Sequence, residues 1–224
     1  MLDVGTGTGV WALDVADAYP DASVVGWDLS PVQPGMVNHN IQFEIFDAEE
    51  PWLVNDEYDL INFRLMHFSL SKSWPQVFKE AFGALKPGGW MESQEFKLDF
   101  RSDDGTIPVD SKFKQWCALQ NEAAEKGRFS LRPDPVRMQQ YMKDAGFVNI
   151  VFKEFKMPMG NWSKDDRLSK AGVFNMVAYL EGMLGLSIRL WTRFLDKTPE
   201  EVAAFVKEAQ QDMQSPDMHG YMPV

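Results

Sequence analysis

An open α/β fold, a mostly parallel sheet flanked by helices, is predicted by three observations. Short β-prone runs alternate with helical patterns from residue 2 to about residue 155, the arrangement of a doubly wound sheet. The first run, Leu2-Asp3-Val4, enters a turn with glycine at positions 5, 7 and 9, and a helical pattern from Trp11 to Ala18 leaves it. The second run, Ser23 to Trp27, ends in Asp28, the place where a βαβ unit of the Rossmann-like kind holds a ribose diol. From residue 156 the alternation stops and Met- and Leu-rich helical patterns take over, which predicts a helical lid added to the sheet.

The glycine spacing narrows the ligand. Glycine serves where the backbone approaches a ligand closely or takes dihedrals that a Cβ forbids. A helix starting just after such a turn presents free N–H groups to an anion. The dinucleotide fingerprint needs glycine three residues after its second one, a position held here by Val10. A Walker A loop needs Lys and then Ser or Thr after its last glycine, which Val10-Trp11 do not supply. What remains, G-x-G-x-G with Asp3 two residues ahead, resembles motif I of class I S-adenosylmethionine-dependent methyltransferases. The competing reading is a plain turn in a Rossmann-like fold that has lost its ligand site.

The other elements follow in order. Tyr19-Pro20 ends the first helix, and Leu29 to Asn40, with Pro31, Pro34 and Gly35, reads as a long loop. Ile41 to Phe46 alternates as a third strand and runs into Asp47-Ala48-Glu49-Glu50. Tyr58 to Phe63 is the fourth strand. Ligands of open parallel sheets sit beyond the carboxyl ends of the strands, which puts Asn62, Arg64 and His67 in the productive zone. Arg64 either offers its rigid donor fork to a carboxylate or caps the sheet through a salt bridge. Ser71 or Ser73 caps a helix through Trp74, Val77, Phe78 and Ala81 to Leu85, stopped at Lys86-Pro87-Gly88-Gly89. Trp90 to Phe96 is the next strand, and its Glu92, Gln94 and Glu95, out of place inside a buried parallel strand, point to a pocket wall.

Ser111 to Lys126 is helical and a candidate lid helix, with Phe113, Trp116, Cys117 and Gln120 on neighbouring turns. Pro133 starts a helix that Gly146 stops after Ala145, and Phe147 to Phe155 supplies a further strand. Leu168 to Leu195 forms one long or twice-broken helical region, and Thr198-Pro199-Glu200-Glu201 starts another helix to about Met213. The expected organisation is a nucleotide-binding core over residues 1–155, a helical lid or substrate subdomain over 156–216, and the entrance to a last strand over 217–224.

Composition excludes several classes. The 224 residues suffice for one substantial core and an appended subdomain. A formal net charge of −11 disfavours nucleic acid as a partner, because its binders present basic surface. Cys117 is the only cysteine, so no intrachain disulfide and no thiolate cluster forms, and its apolar surroundings suggest a buried small side chain. His39, His67 and His219 show no metal-ligand spacing, and no metal is expected. No signal peptide is visible and no apolar run reaches membrane-spanning length, so the expectation is a cytoplasmic or nuclear protein without a membrane span.

Ordered motifs identify a narrower relation. Leu2 to Gly9, Asp28-Leu29-Ser30-Pro31-Val32-Gln33-Pro34, Phe43 to Glu49, Arg64-Leu65-Met66-His67, Leu85 to Trp90 and Glu92-Ser93-Gln94-Glu95 resemble those of fungal LaeA-like methyltransferases. The resemblance runs from Met1 to about Phe155. It implies a class I fold that binds S-adenosyl-L-methionine (or S-adenosyl-L-homocysteine), and a part in secondary metabolism as a regulator or as a tailoring enzyme. It puts Gly5, Gly7 and Gly9 at the cofactor turn, Asp28 at the ribose, Asp47-Ala48 near adenine and Arg64 near the amino-acid end. Asp3, Thr6, Leu29 and Asn62 complete the candidate cofactor residues. Two departures stand out: the usual upstream segment is absent, and His219 to Val224 resembles the entrance to a last strand without the strand itself. Missing flanking sequence, a partner over the sheet edge and a reduced fold are the readings left open.

The leading functional expectation is methyl transfer to oxygen or carbon of a small, partly apolar metabolite. Such a transfer rests on in-line positioning. His67 is the candidate general base where the acceptor must lose a proton. Glu95, Trp116, Met176, Tyr179, Met183 and Trp191 are the candidate substrate-lining residues, since methionine adapts to irregular shapes; packing against the sheet or another subunit is the rival account. Two other classes stay open. One is a LaeA-like regulatory protein with a protein partner or as a homodimer, and the other a cyclase or pericyclase that uses the cofactor without methyl transfer.

Overall fold

Five short runs in the N-terminal part pair as one wholly parallel sheet in the order β3-β2-β1-β4-β5. They are β1 (Leu2–Val4), β2 (Val24–Asp28), β3 (Ile41–Ile45), β4 (Tyr58–Arg64) and β5 (Leu85–Gln94). The order reverses at β1, and the crevice beyond the strand ends at such a switch point is where open sheets take ligands. The register sets Asp3 of β1 beside Gly26 of β2 and Asn62 of β4, so the polar strand ends lie level. Leu2, Val4, Ile61 and Phe63 are completely buried, as continuous apolar character in a parallel strand requires.

The computed structural model describes residues 1–55, 57–70 and 73–224, so the expected cap Ser71 lies outside the described residues. Helix α1 (Val10–Ala18) buries Ala12 and Ala16 against Val24 and Ile41. A single turn, α2 (His67–Leu70), precedes α3 (Trp74–Ala84), which buries Trp74, Val77, Phe78 and Ala81 in one core with Ile61 and Phe63. Ser73 stands at the N-cap of α3 but makes no side-chain capping bond; its hydroxyl donates to Glu49 instead.

Two expected boundaries are corrected here. The run Lys86–Gly89 is absorbed into β5: Tyr58 faces Leu85 while Leu60 faces Trp90, so the extra residues form an irregularity with Gly88 at φ 84°. Phe147 to Phe155 is not a strand, because Asn149 sits at φ 55° and Val148, Val151, Phe152 and Phe155 are exposed.

The chain divides into two compact units, Met1–Glu95 with Asp134–Phe152 and Phe96–Pro133 with Lys153–Val224, which displaces the boundary expected at residue 155. Helix α4 (Lys112–Lys126) belongs to the second unit, and α5 (Pro135–Ala145) returns to the first. Asp134 caps α5 by accepting from the Val136 and Arg137 N–H groups, and Gly146 ends it at φ 112°.

In the second unit α4 packs with α6 (Asp166–Phe194) and α7 (Pro199–Met213) around Phe113, Trp116, Met183, Trp191, Val202 and Val206. Helix α6 runs unbroken, capped by Asp165, and α7 starts in a capping box between Thr198 and Glu201. Residues 217–224 do not enter the main sheet. Instead β7 (Tyr221–Pro223) pairs antiparallel with β6 (Lys156–Pro158), and Tyr221 exchanges both backbone bonds with Arg101. One further expectation is corrected: α6, with 29 residues and an 18-residue window of mean hydropathy 1.3, is long and apolar enough by length and composition to cross a membrane. In this fold its Met183, Ser187 and Trp191 face the helical core.

Candidate functional site

The glycine turn is shaped by its backbone. Gly5, Gly7 and Gly9 lie at φ 71°, 57° and 83°, where a Cβ is strongly disfavoured. The Gly5 and Thr6 N–H groups both donate to Trp27 O at 2.8 Å, which fastens the turn to β2. Below it, Asp3 accepts from Thr6 Oγ1 and from Asn62 Nδ2, each at 2.7 Å. Burial raises the Asp3 pKa while these two donors oppose the rise. Asp3, Thr6 and Asn62 therefore brace the turn against β4. The Asn62 side-chain carbonyl oxygen, Oδ1, is buried without a partner among the described residues.

Asp28 meets the turn from the end of β2. Its Oδ2 accepts the Gly7 N–H at 2.8 Å and its Oδ1 the Ser30 N–H at 2.9 Å. Gln33 closes the loop by donating its amide to Gly7 O at 2.6 Å and Ser30 O at 2.9 Å. Asp28 remains half-buried and Leu29 is exposed at its rim. At the end of β3 the Phe46 N–H donates to Asp28 O at 3.0 Å, Asp47 Oδ1 accepts the Glu49 N–H, and Ala48 is buried. All the candidate cofactor residues thus fall on the carboxyl ends of adjoining strands or the loops that follow them.

Three participants were missed from the sequence. Gln33 sits in the quoted motif, five residues after Asp28, but its partner is a backbone carbonyl that no pattern announces. A Cβ on Gly9 would lie 2.5 Å from Phe43 Cζ and one on Gly26 2.7 Å from Phe43 Cδ1, so this ring packs beneath the turn. A Cβ on Gly5 would lie 2.0 Å from Met66 Sδ.

Beyond β4, Arg64 is exposed and makes no ion pair among the described residues, which removes the sheet-capping account and leaves its guanidinium open. His67 does not suit the base role expected for it. Its Nδ1 accepts the Trp74 indole N–H at 3.2 Å, which places the ring's own proton on Nε2. Nε2 is buried without a partner among the described residues, and burial pushes the pKa down to about 4. A ring with one lone pair engaged and the other nitrogen protonated has no free acceptor. Glu95 is committed as well, its two oxygens accepting the Met66 and His67 N–H groups at 3.1 and 3.0 Å.

The remaining substrate-lining candidates lie in the helical unit, and three of them are core. Trp116, Met183 and Trp191 are completely buried or nearly so. Trp116 Nε1 donates to Ser187 Oγ at 2.8 Å and Trp191 Nε1 to Gln120 Oε1 at 3.2 Å, so both indoles are satisfied internally. Gln120 Nε2 also donates to Ser187 Oγ, which in turn donates to Met183 O. Met176 and Tyr179 are partly buried against the same cluster, and Tyr179 meets Phe113 and Trp116 edge-on. A stripe at helical spacing fills a core as readily as it lines a cavity, and here most of it is packed inside.

A parallel sheet ordered β3-β2-β1-β4-β5, with a left-handed glycine turn and an acid at the end of β2, defines a class I methyltransferase-type nucleotide-binding protein. The chain belongs to the methyltransferase domain family, which it matches over residues 1–151, and within it to the fungal LaeA-like methyltransferases. It is 39% identical to Methyltransferase pytC of Aspergillus terreus (strain NIH 2624 / FGSC A1156), over 98% of this chain and 67% of that protein. It is 33% identical to Secondary metabolism regulator laeA of Monascus pilosus, over 99% of this chain and 60% of that protein. Among solved structures it is similar to the cyclase SpnF, with a TM-score of 0.53 and 18% identity over 99% of this chain and 71% of that one, a likeness of fold alone.

Proposed function

We propose that the chain binds S-adenosyl-L-methionine at the glycine turn and methylates oxygen or carbon of a small, partly apolar secondary metabolite. The observation that carries this reading is the joint between Gly7 and Asp28, which brings an acidic acceptor to a cradle that a Cβ would narrow. Apart from the chain neighbours of Gly7, no atom of the described residues stands within 4 Å of the Cβ position there, so the turn is open on the side where a ligand would approach. When bound, the cofactor supplies an electrophilic methyl group on a sulfonium. The chain's part is to hold and orient: Asp28 accepts from the ribose hydroxyls with the lone pairs that Gly7 and Ser30 leave over. Asp47 and the Ala48 backbone border the adenine, and Arg64 faces the amino-acid carboxylate. The relation to Methyltransferase pytC supports a metabolite acceptor.

Calorimetry with S-adenosylmethionine and S-adenosylhomocysteine tests the reading, and micromolar binding is the expected result. Asp28→Ala removes the acceptor for both the diol and the Gly7 N–H. The expected loss is about 1.5–3 kcal/mol, or roughly 10–150-fold in affinity. Unchanged affinity in that variant would reject the assignment of Asp28. The relation to a laeA regulator favours a second reading, a regulatory protein that binds the cofactor and engages a protein partner. Methyl incorporation into a small-molecule panel separates the two.

A further inference from the structure

We propose that Glu95 is a positioning residue for cofactor binding: its carboxylate pins the turn after β4 so that Met66 closes against the glycine turn. The inference rests on the cofactor reading above and deepens it. The pinned turn is a conformation that needs holding. Leu65 sits at φ 58°, a left-handed dihedral uncommon for a side chain of its size. Three successive N–H groups tie it to the end of β5: Leu65 donates to Gln94 O at 2.9 Å, Met66 to Glu95 Oε1 at 3.1 Å and His67 to Glu95 Oε2 at 3.0 Å. One carboxylate thus receives two neighbouring backbone donors, the arrangement in which a charged acceptor binds most strongly.

What the clamp holds in place is Met66, whose Sδ would lie 2.0 Å from a Cβ on Gly5. Gly5 is the first glycine of the cofactor turn and hangs from Trp27 O on its other side. The Met66 side chain therefore sets how far that turn can move toward β4. Glu95 holds the backbone of Met66 and His67 and acts on the turn through Met66.

Ionisation governs the clamp. A carboxylate accepts two N–H groups, whereas a protonated carboxyl turns one oxygen into a donor that opposes an N–H. Burial pushes the Glu95 pKa up to about 7, with the Met66 and His67 donors acting against the rise. The charged or titratable groups on the surrounding elements are Asp59 and Arg64 on β4, His67 on α2, Lys86 and Glu92 on β5 and Asp3 on β1, and Asp59 and Lys86 pair with each other. None of them forms an ion pair with Glu95 among the described residues. The clamp is charged and closed above pH 7 and loses one of its two bonds as the pH falls through that value.

The test is calorimetric titration of the whole chain with S-adenosylhomocysteine between pH 6 and 8.5, for the wild type, Glu95→Gln, Met66→Ala and the double variant. At pH 8 Glu95→Gln is expected to bind about tenfold more weakly, the equivalent of one lost charge-assisted hydrogen bond. The wild type weakens as the pH falls through about 7, while Glu95→Gln lacks that step; Asp3 and His67 contribute alike to both profiles. Met66→Ala should weaken binding by itself and add little to Glu95→Gln, since both act through one contact. Should Glu95→Gln fail to fold, Met66→Ala still tests the closure on Gly5, and wild-type affinity in it would overturn the proposal. So would wild-type affinity in Glu95→Gln at pH 8, or a pH profile that Glu95→Gln reproduces. Absence of binding by the wild type would overturn the cofactor reading, and this inference with it.

Discussion

Gly9→Ala is expected to lower the melting temperature by roughly 4–20 °C, at about 2–4 °C per kcal/mol for a chain of this size. Two costs combine at this position. The left-handed dihedral, φ 83° and ψ 9° at the N-cap of α1, costs a residue with a Cβ about 1–2 kcal/mol. The added methyl would also stand 2.5 Å from Phe43 Cζ and 2.9 Å from Cε1, and overpacking of that kind costs about 1–3 kcal/mol more. Gly7→Ala carries only the first cost, since among the described residues no atom beyond its chain neighbours lies within 4 Å of its Cβ position. Differential scanning calorimetry of Gly9→Ala, Phe43→Leu and the pair checks the account. A smaller residue at 43 should restore part of the loss through a negative coupling. A melting temperature for Gly9→Ala within a degree or two of the parent would refute the packing argument.

Ser187→Ala is expected to cost the helical unit roughly 2–5 kcal/mol although it removes one atom. Ser187 Oγ is the acceptor for both Trp116 Nε1 and Gln120 Nε2, in a place with no access to water. Each buried donor left unpaired costs about 1–3 kcal/mol. Trp116→Phe in the same background removes one of the stranded donors, so the double variant should be less destabilised than the sum of the two singles. Urea unfolding followed by tryptophan fluorescence measures both. A cost below about 0.5 kcal/mol for Ser187→Ala, the level of an ordinary surface change, would show that the network does not hold the helices together.

What could be read from the sequence was local. Three glycines at positions 5, 7 and 9 between an apolar run and a helical pattern have few structural uses, and the turn took the form they require. Asp28 was legible for the same reason, since strand end and spacing from the turn fix its place in a βαβ unit. The parallel sheet followed from alternation of strands and helices, whereas the strand order is seen only in the fold. The failures were questions of partner. Phe147 to Phe155 carries strand-like residues, yet Asn149 takes the left-handed dihedral that asparagine tolerates better than most residues, a signal the apolar residues around it outweighed. Lys86-Pro87-Gly88-Gly89 reads as a loop, and only the register against Tyr58 and Leu60 takes it into β5. For Trp116, Met183 and Trp191 a signal was present: Gln120 lies four residues after Trp116 and Ser187 four before Trp191, polar groups within an apolar stripe. Such pairs point to an internally satisfied core more than to a cavity wall. Glu95 was placed at a strand end correctly, but its ligands are backbone N–H groups of a distant turn, which sequence does not show. The lone pair that a base would use on His67 is taken by Trp74, whose indole reaches Nδ1 only in the folded chain.

The discontinuity of the two units has a consequence for the order of synthesis. The parallel sheet is complete once residue 94 has been made, but α5, which closes over α3, arrives only after α4. Helix α4 in turn emerges with Phe113, Trp116 and Cys117 on one side and finds α6 and α7 much later. At a translation rate of about 5–20 residues per second, the stretch from residue 126 to residue 213 takes roughly 4–17 s. During that interval α4 has been made without the helices that complete its core. Throughout it the apolar side of α4 lacks its final partners, and exposed apolar surface of that kind is what makes a partly folded chain prone to misassembly.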